Sequence, residues 1–233
     1  KIGIIADYDV DGSTSASILF RFLSNFTSNI VCKIPNRLSE GYGPNIRLMN
    51  EMLKENVKLV FTLDCGTSAF GIIDNSDYKE IEVIVIDHHL SELKLPKVNS
   101  IINPNRFDEN NNFKDFAAVG VTFLFLMALR KDIRKRKLFT HLNEPNLVSF
   151  LDLVAVGTIC DIVKIRNYNR SLVKKGLELI TKRSNKSIRS IIDNSKISAT
   201  PTSRDIGYFV GPQINAASRI DDSSLASKLL ITN

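Results

Sequence analysis

The sequence predicts an α/β protein: a mostly parallel five-stranded sheet with helices on both faces, followed by a helical C-terminal part. Over the first 105 residues, short β-branched apolar runs alternate with helical patterns, which is typical of parallel strands joined through helices. From about residue 115 onward the apolar spacing becomes helical throughout. With 233 residues and 43% hydrophobic content, the chain can also bury a substantial core.

The individual elements follow from these patterns in chain order. The predicted strands cover residues 2–6, 30–34, 58–63, 82–86 and 100–102, and the helical patterns between them cover roughly 14–27, 44–55 and 67–75. The first helix opens with serine and threonine, which are good N-cap residues, and Ile18, Leu19 and Phe22 then recur at helical spacing. Further helical patterns cover 117–130, 146–160 and 170–183.

Composition restricts the function classes. The net charge of +6 is compatible with a polyanionic partner, although the densest basic cluster, 130–137, reads equally well as the solvated end of a helix. The longest apolar stretch, 117–129, is too short and too interrupted to span a bilayer, so we predict no membrane partner. The three cysteines, Cys32, Cys65 and Cys160, are widely spaced, which favours a reducing compartment such as the cytoplasm.

Acidic and imidazole side chains follow three of the predicted strands. Strand 2–6 runs into Asp7, Asp9 and Asp11; strand 58–63 runs into Asp64; and strand 82–86 runs into Asp87, His88 and His89. The first run resembles the opening of a calcium-binding EF-hand loop, but it lacks the glutamate at the twelfth position and the preceding helix. Ligands collect at the carboxyl ends of strands in open α/β sheets, so we expect these side chains to meet at one edge.

Several carboxylates held close together require a cation. Carboxylates with imidazole and without thiolate suit Mn²⁺ or Mg²⁺ better than zinc, and such a set can hold two ions roughly 3.5–4 Å apart, as in phosphoester hydrolysis. We predict that Asp64 bridges two ions and that His88 is the stronger of the two imidazole candidates. Asp152 and Asp161 lie around a later helix-like run, and His141, without acidic neighbours, is interpreted as structural.

The motifs carry a family resemblance. The runs DYDVDG, TLDCG, VIDHH and VGTICDIV resemble, in order, the four motifs of the DHH phosphoesterase superfamily. The runs at 34–43, 117–123, 169–177 and 205–220 further resemble the RecJ family of single-strand-specific 5′→3′ DNA exonucleases. The similarity extends over almost the whole chain.

The resemblance implies roles for individual residues. The implied metal ligands are Asp7, Asp9, Asp11, Asp64, His88 and Asp161, with Asp87 and His89 completing the third motif; Asp87 is expected to support the ligands and His89 to act in catalysis beside Asp64. Arg37 lies where the family engages a terminal phosphate, and a guanidinium beside two glycines suits that role chemically. Asn215 and Arg219 are expected over the scissile phosphate, with Arg219 stabilising the transition state. Ser218 stands where the motif usually has glycine, so we expect a changed backbone there.

The resemblance also implies an organisation and partners. Residues 1–190 are expected to form the DHH catalytic domain and 191–233 to begin an interdomain linker or helix, the second domain of the family being absent. The expected activity is Mn²⁺- or Mg²⁺-dependent release of mononucleotides from a 5′ end of single-stranded DNA during repair and recombination. A single-strand-binding protein or a helicase is the expected protein partner.

Two alternatives stay open. The same superfamily motifs would serve a phosphoesterase of short oligonucleotides, cyclic dinucleotides or pyrophosphate. A catalytically inactive DNA-binding or scaffold relative would use the same fold, but such a protein is expected to have lost several of the acids, and all of them are present.

Overall fold

The computed structural model describes residues 1–140, 143–195, 197, 200–220 and 222–232, except for the side chain of Thr140. Its sheet has five parallel strands, β1 (Ile2–Ala6), β2 (Ile30–Lys33), β3 (Leu59–Leu63), β4 (Glu82–Ile86) and β5 (Ser100–Ile102). The spatial order is β2-β1-β3-β4-β5, so β1, β3 and β4 are adjacent at the centre of the sheet. The sheet and its strands are confirmed, with bounds that differ from the prediction by at most one residue.

Helices cover both faces of the sheet. Successive residues of a strand point to opposite faces, and in β1 this places Ile4 in the core beneath α1 (Val10–Leu23) and Ile5 in a second core beneath α2 (Ile46–Lys54). Met49 and Met52 of α2 are fully buried in that second core. The two-faced arrangement is therefore confirmed.

Two predicted helix positions are wrong. The first helix begins at Val10 rather than near residue 14, because Asp9 and not the serine–threonine run supplies the N-cap. Residues 67–75 form turns followed by a short 3-10 helix, Ser76–Tyr78, instead of an α-helix. Gly71 adopts φ +71°, a left-handed conformation that a continuous right-handed helix does not accommodate.

The C-terminal part is helical, as predicted. It comprises α3 (Ala118–Lys135), α4 (Leu151–Cys160), α5 (Asn167–Thr181), α6 (Lys186–Asn194), α7 (Ser203–Asp205), a π-helical segment (Ile206–Val210), α8 (Gly211–Ile220) and α9 (Leu225–Ile231), with 3-10 turns at Leu138–Thr140 and Leu147–Phe150. The basic cluster forms the end of α3, where Arg134 pairs with Glu144. Within the described residues, no helix combines the length and the apolarity needed to span a bilayer.

Helix α4 lies at the centre of the packing that positions the site. Every residue from Leu151 to Ile159 is buried, and the helix packs against α1, α3 and α5. Such an apolar helix can be stable only inside the fold. Its C-cap residue is Asp161, which is thereby held at the sheet edge where β1, β3 and β4 end.

Ser218 does not require an altered backbone. It lies within the regular helix α8, is buried, and donates its hydroxyl to the carbonyl of Asn215 at 3.0 Å. A helical backbone accepts serine at least as well as glycine, and the expected difference from glycine-containing relatives stays a prediction.

Candidate metal centre

The carboxyl ends of β1, β3 and β4 each lead directly into an aspartate. The backbone N–H groups of Asp7, Asp64 and Asp87 each donate a hydrogen bond to the neighbouring strand, at 3.0–3.1 Å, so the sheet holds all three residues in register. Asp64 has φ +58°, a left-handed conformation that aspartate tolerates better than most side chains. The predicted convergence of these carboxylates at one sheet edge is what the structure shows.

Seven side chains lie close enough to share bound cations. Three overlapping groups each offer ligand atoms within 4.8 Å of one another: Asp7, Asp9 and Asp64; Asp11, His88 and Asp161; and Asp64, His88 and His89. Asp64 and His88 each belong to two of these groups. The arrangement therefore suits two neighbouring cations that share ligands.

Four of the ligand atoms are buried and have no hydrogen-bond partner among the described residues. They are Oδ1 of Asp7, Oδ1 of Asp64, Oδ2 of Asp161 and Nε2 of His88. Nε2 of His88 lies 3.3 Å from Oδ1 of Asp64 and 3.6 Å from Oδ2 of Asp161. Buried polar atoms are normally satisfied, and four unpaired atoms of metal-ligating types in one cluster are explained by bound ions. Three carboxylate oxygens and one imidazole nitrogen fit the ligand preference of Mn²⁺, and Mg²⁺ accepts the same oxygens.

The pKa values of the carboxyls in the absence of metal also indicate a cation site. Burial, and then the charge of Asp9, raises the pKa of Asp7 to about 7, and the same two causes raise the pKa of Asp161 to about 7. Burial raises the pKa of Asp64 and of Asp11 well above the usual range, with further contributions from the neighbouring acids. A divalent cation would remove this penalty by stabilising the ionised carboxylates.

Two acids of the first motif also hold the backbone. Oδ1 of Asp9 accepts a hydrogen bond from the N–H of Gly12 at 2.9 Å and caps α1. The two oxygens of Asp11 accept from the N–H groups of Ala118 (2.6 Å) and Val119 (2.8 Å), at the start of α3. The N-cap residue of α3 supplies no side-chain hydrogen bond of its own, so Asp11 takes that place from α1. Sequence reasoning missed this second role, because the contact spans more than one hundred residues.

The two histidines have different surroundings. Neighbouring residues of a strand point to opposite sides, but strand β4 ends at Ile86, before the two histidines. The side chains of His88 and His89 therefore both approach Asp64. Burial, followed by the charge of His89, lowers the pKa of His88, which keeps its imidazole neutral as a metal ligand requires. The hydrogen bond to Asp87 raises the pKa of His89. His88 is thus suited to bind a metal ion as a neutral imidazole, whereas His89 is suited to act as an imidazolium.

A hydrogen-bonded chain orients His89. Its Nδ1 lies 2.7 Å from Oδ1 of Asp87 and 3.1 Å from the hydroxyl oxygen of Tyr42, which itself donates to the carbonyl of Asp64 at 2.7 Å. Burial would raise the pKa of Asp87, but the hydrogen bonds from His89 and Thr67 outweigh it and lower that pKa to about 2. Nδ1 of His89 therefore carries its proton toward Asp87. Tyr42 is a site residue that sequence reasoning missed, although it lies in the run 34–43, which also contains Arg37.

The predicted substrate-binding residues lie around this cluster. The guanidinium of Arg37 stacks over the ring of Tyr8 at 4.9 Å, and its charge acts on Asp7. The backbone N–H of Arg37 donates to the hydroxyl of Ser223 at 3.2 Å. Asn215 and Arg219 lie on α8, which packs against α1. Among the described residues, no hydrogen bond or ion pair joins Asn215 or Arg219 to the acids.

Of the other residues noted in the sequence, Asp152 lies away from this cluster. Asp152 is buried in the first turn of α4, at the opposite end of that helix from Asp161, and its charge acts on Arg21. His141 falls outside the described residues.

Comparisons with known proteins agree with this geometry. The family model described as "DHH family, N-terminal domain" matches residues 1–158. The single-stranded-DNA-specific exonuclease RecJ of Dickeya dadantii is 36% identical over 238 residues, which cover 100% of this chain and 41% of that protein. A crystal structure of exonuclease RecJ bound to manganese matches 99% of this chain and 56% of its own, with a TM-score of 0.85 and 32% identity. RecJ from Thermus thermophilus in complex with Mg²⁺ matches 100% of this chain and 28% of its own, with a TM-score of 0.63 and 28% identity.

The chain therefore spans about 41% of the length of the first of these relatives. The resemblance predicted from the motifs is confirmed over the full chain. The ligand set and the metals bound in those two structures also agree with the predicted Mn²⁺ or Mg²⁺ cofactor.

Proposed function

The chain belongs to the DHH family, and we propose that it is the hydrolytic core of an exonuclease that degrades single-stranded DNA from a 5′ end to mononucleotides. One observation carries this proposal. Unpaired, buried ligand atoms from Asp7, Asp64, Asp161 and His88 converge at the carboxyl edge of the sheet. Similarity to RecJ exonucleases over the whole chain supports the choice of substrate.

The chain's own residues have distinct parts in this chemistry. We propose that Asp7, Asp9, Asp64, His88 and Asp161 would hold two cations, with Asp64 common to two of the ligand groups, while Asp11 would add a ligand oxygen and anchors α3. When bound, the cations supply an activated water and offset charge on the phosphate. The strand ladder already fixes the backbone at two of these positions, Asp7 and Asp64.

His89 is the proposed proton donor or electrostatic partner of the reacting phosphate. Its Nδ1 is held by Asp87 and Tyr42, which leaves Nε2 free to face a ligand. The raised pKa of His89 favours the imidazolium, whose charge suits a phosphodiester that gains negative charge during cleavage. Arg37 is proposed to bind the 5′-terminal phosphate, and Asn215 and Arg219 to contact the scissile group.

The remaining expectations are proposals of the same kind. We assign residues 1–190 to the catalytic domain and 191–233 to the start of an interdomain helix, although Val210, Ile214 and Leu230 are buried in the same core as Ile4. A cytoplasmic role in DNA repair, with a single-strand-binding protein or a helicase as partner, rests on the resemblance.

The test is hydrolysis of a 5′-phosphorylated, 3′-labelled single strand with Mn²⁺, compared with a dinucleotide. Asp64→Ala should abolish activity. Asp152→Asn is the matched control, because it changes a carboxyl that is equally buried but lies outside the cluster. Stepwise loss of the long strand from its 5′ end, dependent on Asp64, is the expected result.

Other results have definite meanings. Cleavage of the dinucleotide alone would favour the small-substrate phosphoesterase. Full activity of Asp64→Ala would refute the assignment of the metal centre. Binding of the strand without cleavage by the wild-type chain would favour the inactive scaffold.

A further inference from the structure

An exposed aromatic pair joins the segment before α3 to the start of α5. The rings of Phe113 and Tyr168 stack with centroids 5.8 Å apart and planes inclined by 24°. Phe113 is 39% exposed and Tyr168 is 59% exposed, so much of the pair faces solvent. Behind it, Phe113 packs edge-on against the buried Phe116 at 5.6 Å. An exposed ring face that is backed by a packed aromatic neighbour can receive a flat ligand by stacking.

Hydrogen bonds tie both segments of this pair to proposed metal ligands. The side chain of Asn105 donates to the carbonyl of His88 at 2.6 Å and to that of Lys114 at 3.2 Å. The side chain of Asn169 donates to the carbonyls of Asp115 (2.6 Å) and Lys164 (3.1 Å), and thereby joins the two segments. Lys164 follows the ligand Asp161 by three residues. Hydrogen bonds and short segments of chain therefore link the backbone on either side of the pair to two proposed ligand residues, His88 and Asp161.

The surroundings carry positive charge. A cavity of about 460 Å³ lies beside Tyr168 and is lined in part by Lys114 and Arg166. Arg166 pairs with Asp115, whereas none of the ion pairs among the described residues involves Lys114 or Lys164. Lysines next to exposed π faces are the chemistry that holds single-stranded nucleic acid, since cations contact phosphates while bases stack.

We propose that Phe113 and Tyr168, with Lys114 and Lys164, form a nucleobase-stacking platform for the part of the strand that leaves the metal centre on the 3′ side. This inference rests on the proposed function, because it assumes that a strand is cut at the cations. It deepens that function by assigning the residues that distinguish a long strand from a dinucleotide. An acidic or apolar protein segment is the competing occupant, and the test separates the two.

The test measures affinity for a 12-nucleotide, phosphorothioate-linked single strand in Mn²⁺, together with hydrolysis of an unmodified dinucleotide. Tyr168→Ala should weaken 12-mer binding roughly tenfold or more, because base–aromatic stacking is lost. Tyr168→Phe should bind as the wild type does, and dinucleotide hydrolysis should stay unchanged in both variants. Lys164→Ala should reduce the slope of log affinity against log salt by about 0.7.

Tyr208→Ala is the matched control. Tyr208 is also highly exposed and has a nearby guanidinium, that of Arg204, but it lies on the π-helical segment. Its removal should leave 12-mer affinity unchanged. If Tyr168→Ala lowers the melting temperature, Tyr168→Leu replaces it, because leucine keeps an apolar cover over Phe113 without a π face.

The outcomes are separable. Wild-type affinity in a folded Tyr168→Ala or Tyr168→Leu variant, or equal losses in Tyr208→Ala, overturns the platform. A wild-type chain that hydrolyses the dinucleotide but does not bind the 12-mer overturns it too, and leaves the metal centre intact. Tyr168-dependent binding with no hydrolysis of the dinucleotide or of an unmodified 12-mer overturns the proposed function, and then shows only that Tyr168 contacts the strand.

Discussion

Asp7 and Asp11 belong to one motif, yet their removal should affect stability in opposite ways when no metal is present. The oxygens of Asp11 accept two buried backbone N–H groups at the start of α3, at 2.6 and 2.8 Å. Asp7 is buried with one oxygen unpaired, and burial raises its pKa to about 7. Burial raises the pKa of both carboxyls, but Asp11 offsets that cost with two buried backbone hydrogen bonds, so its carboxyl supports the fold, whereas that of Asp7 is held at a cost.

The magnitudes follow from these contacts. Asp11→Ala leaves two buried N–H groups without an acceptor, at about 1–3 kcal/mol each, so a loss of roughly 2–6 kcal/mol is expected. For a domain of this size, each kcal/mol corresponds to about 2–4 °C in melting temperature, and a fall of roughly 10 °C is expected. Asp7→Ala removes a buried carboxyl that has one unpaired oxygen and acidic neighbours, so its melting temperature in EDTA should equal or exceed that of the wild type.

Thermal unfolding followed by circular dichroism, in EDTA and again in Mn²⁺, provides the assay. In Mn²⁺ both variants should fall below the wild type, because each loses a ligand and with it the stabilisation that comes from binding. Equal melting temperatures for the two variants in EDTA would refute the assignment of a structural role to Asp11.

Three further predictions concern pH, packing and the substrate end. Between pH 5.5 and 8 in EDTA, the free energy of unfolding should fall by a few kcal/mol as the pH rises. The raised pKa values of Asp7 and Asp161 make the folded state bind protons more tightly than the unfolded state, and each pKa unit corresponds to about 1.4 kcal/mol. Mn²⁺ affinity should rise over the same interval, and urea titrations that show higher stability at pH 8 would contradict this reasoning. Gly176→Ala should destabilise the protein by about 3 kcal/mol or more, because a Cβ there would overlap a backbone carbonyl of α4. Gly207→Ala is the control, since its Cβ would have its nearest neighbour at 3.7 Å, and it should lower the melting temperature less. Arg37→Ala should remove the preference for a 5′-phosphorylated strand over a 5′-hydroxyl strand without abolishing cleavage, and an unchanged preference in competition assays would exclude Arg37 from that contact.

The sequence predicts the sheet and the position of the acids well, because both depend on local patterns. Each short run of β-branched and other apolar residues ends where the chain can turn, and parallel strands then place Asp7, Asp64 and Asp87 at one edge whatever the details of packing. The helix predicted at 67–75 fails for a local reason as well, since its apolar spacing resembles a helix while Gly71 adopts a left-handed backbone conformation.

Other features could not be predicted, because they depend on contacts between distant segments. Nothing near Asp11 in the sequence indicates that it caps α3 more than one hundred residues later, and nothing near Tyr42 indicates a hydrogen bond to the carbonyl of Asp64. The stacking of Phe113 with Tyr168 is of the same kind, since each residue belongs to a polar stretch with no periodic signal.

The geometry of Asp64 shows how the site can be both rigid and unfavourable without metal. Its backbone N–H extends the ladder between β3 and β4, its carbonyl accepts from Tyr42, and its left-handed φ turns the chain at that point. Rotation of the backbone would break both hydrogen bonds, so the carboxyl cannot easily leave its acidic neighbours to relieve their repulsion. The cost must then be met by protonation or by cations, and cations are the better solution at neutral pH because they also satisfy the unpaired Oδ1. Metal binding should accordingly stabilise the fold with little change in backbone structure, and comparison of amide hydrogen exchange at β1, β3 and β4 with and without Mn²⁺ should show slower exchange but unchanged secondary structure.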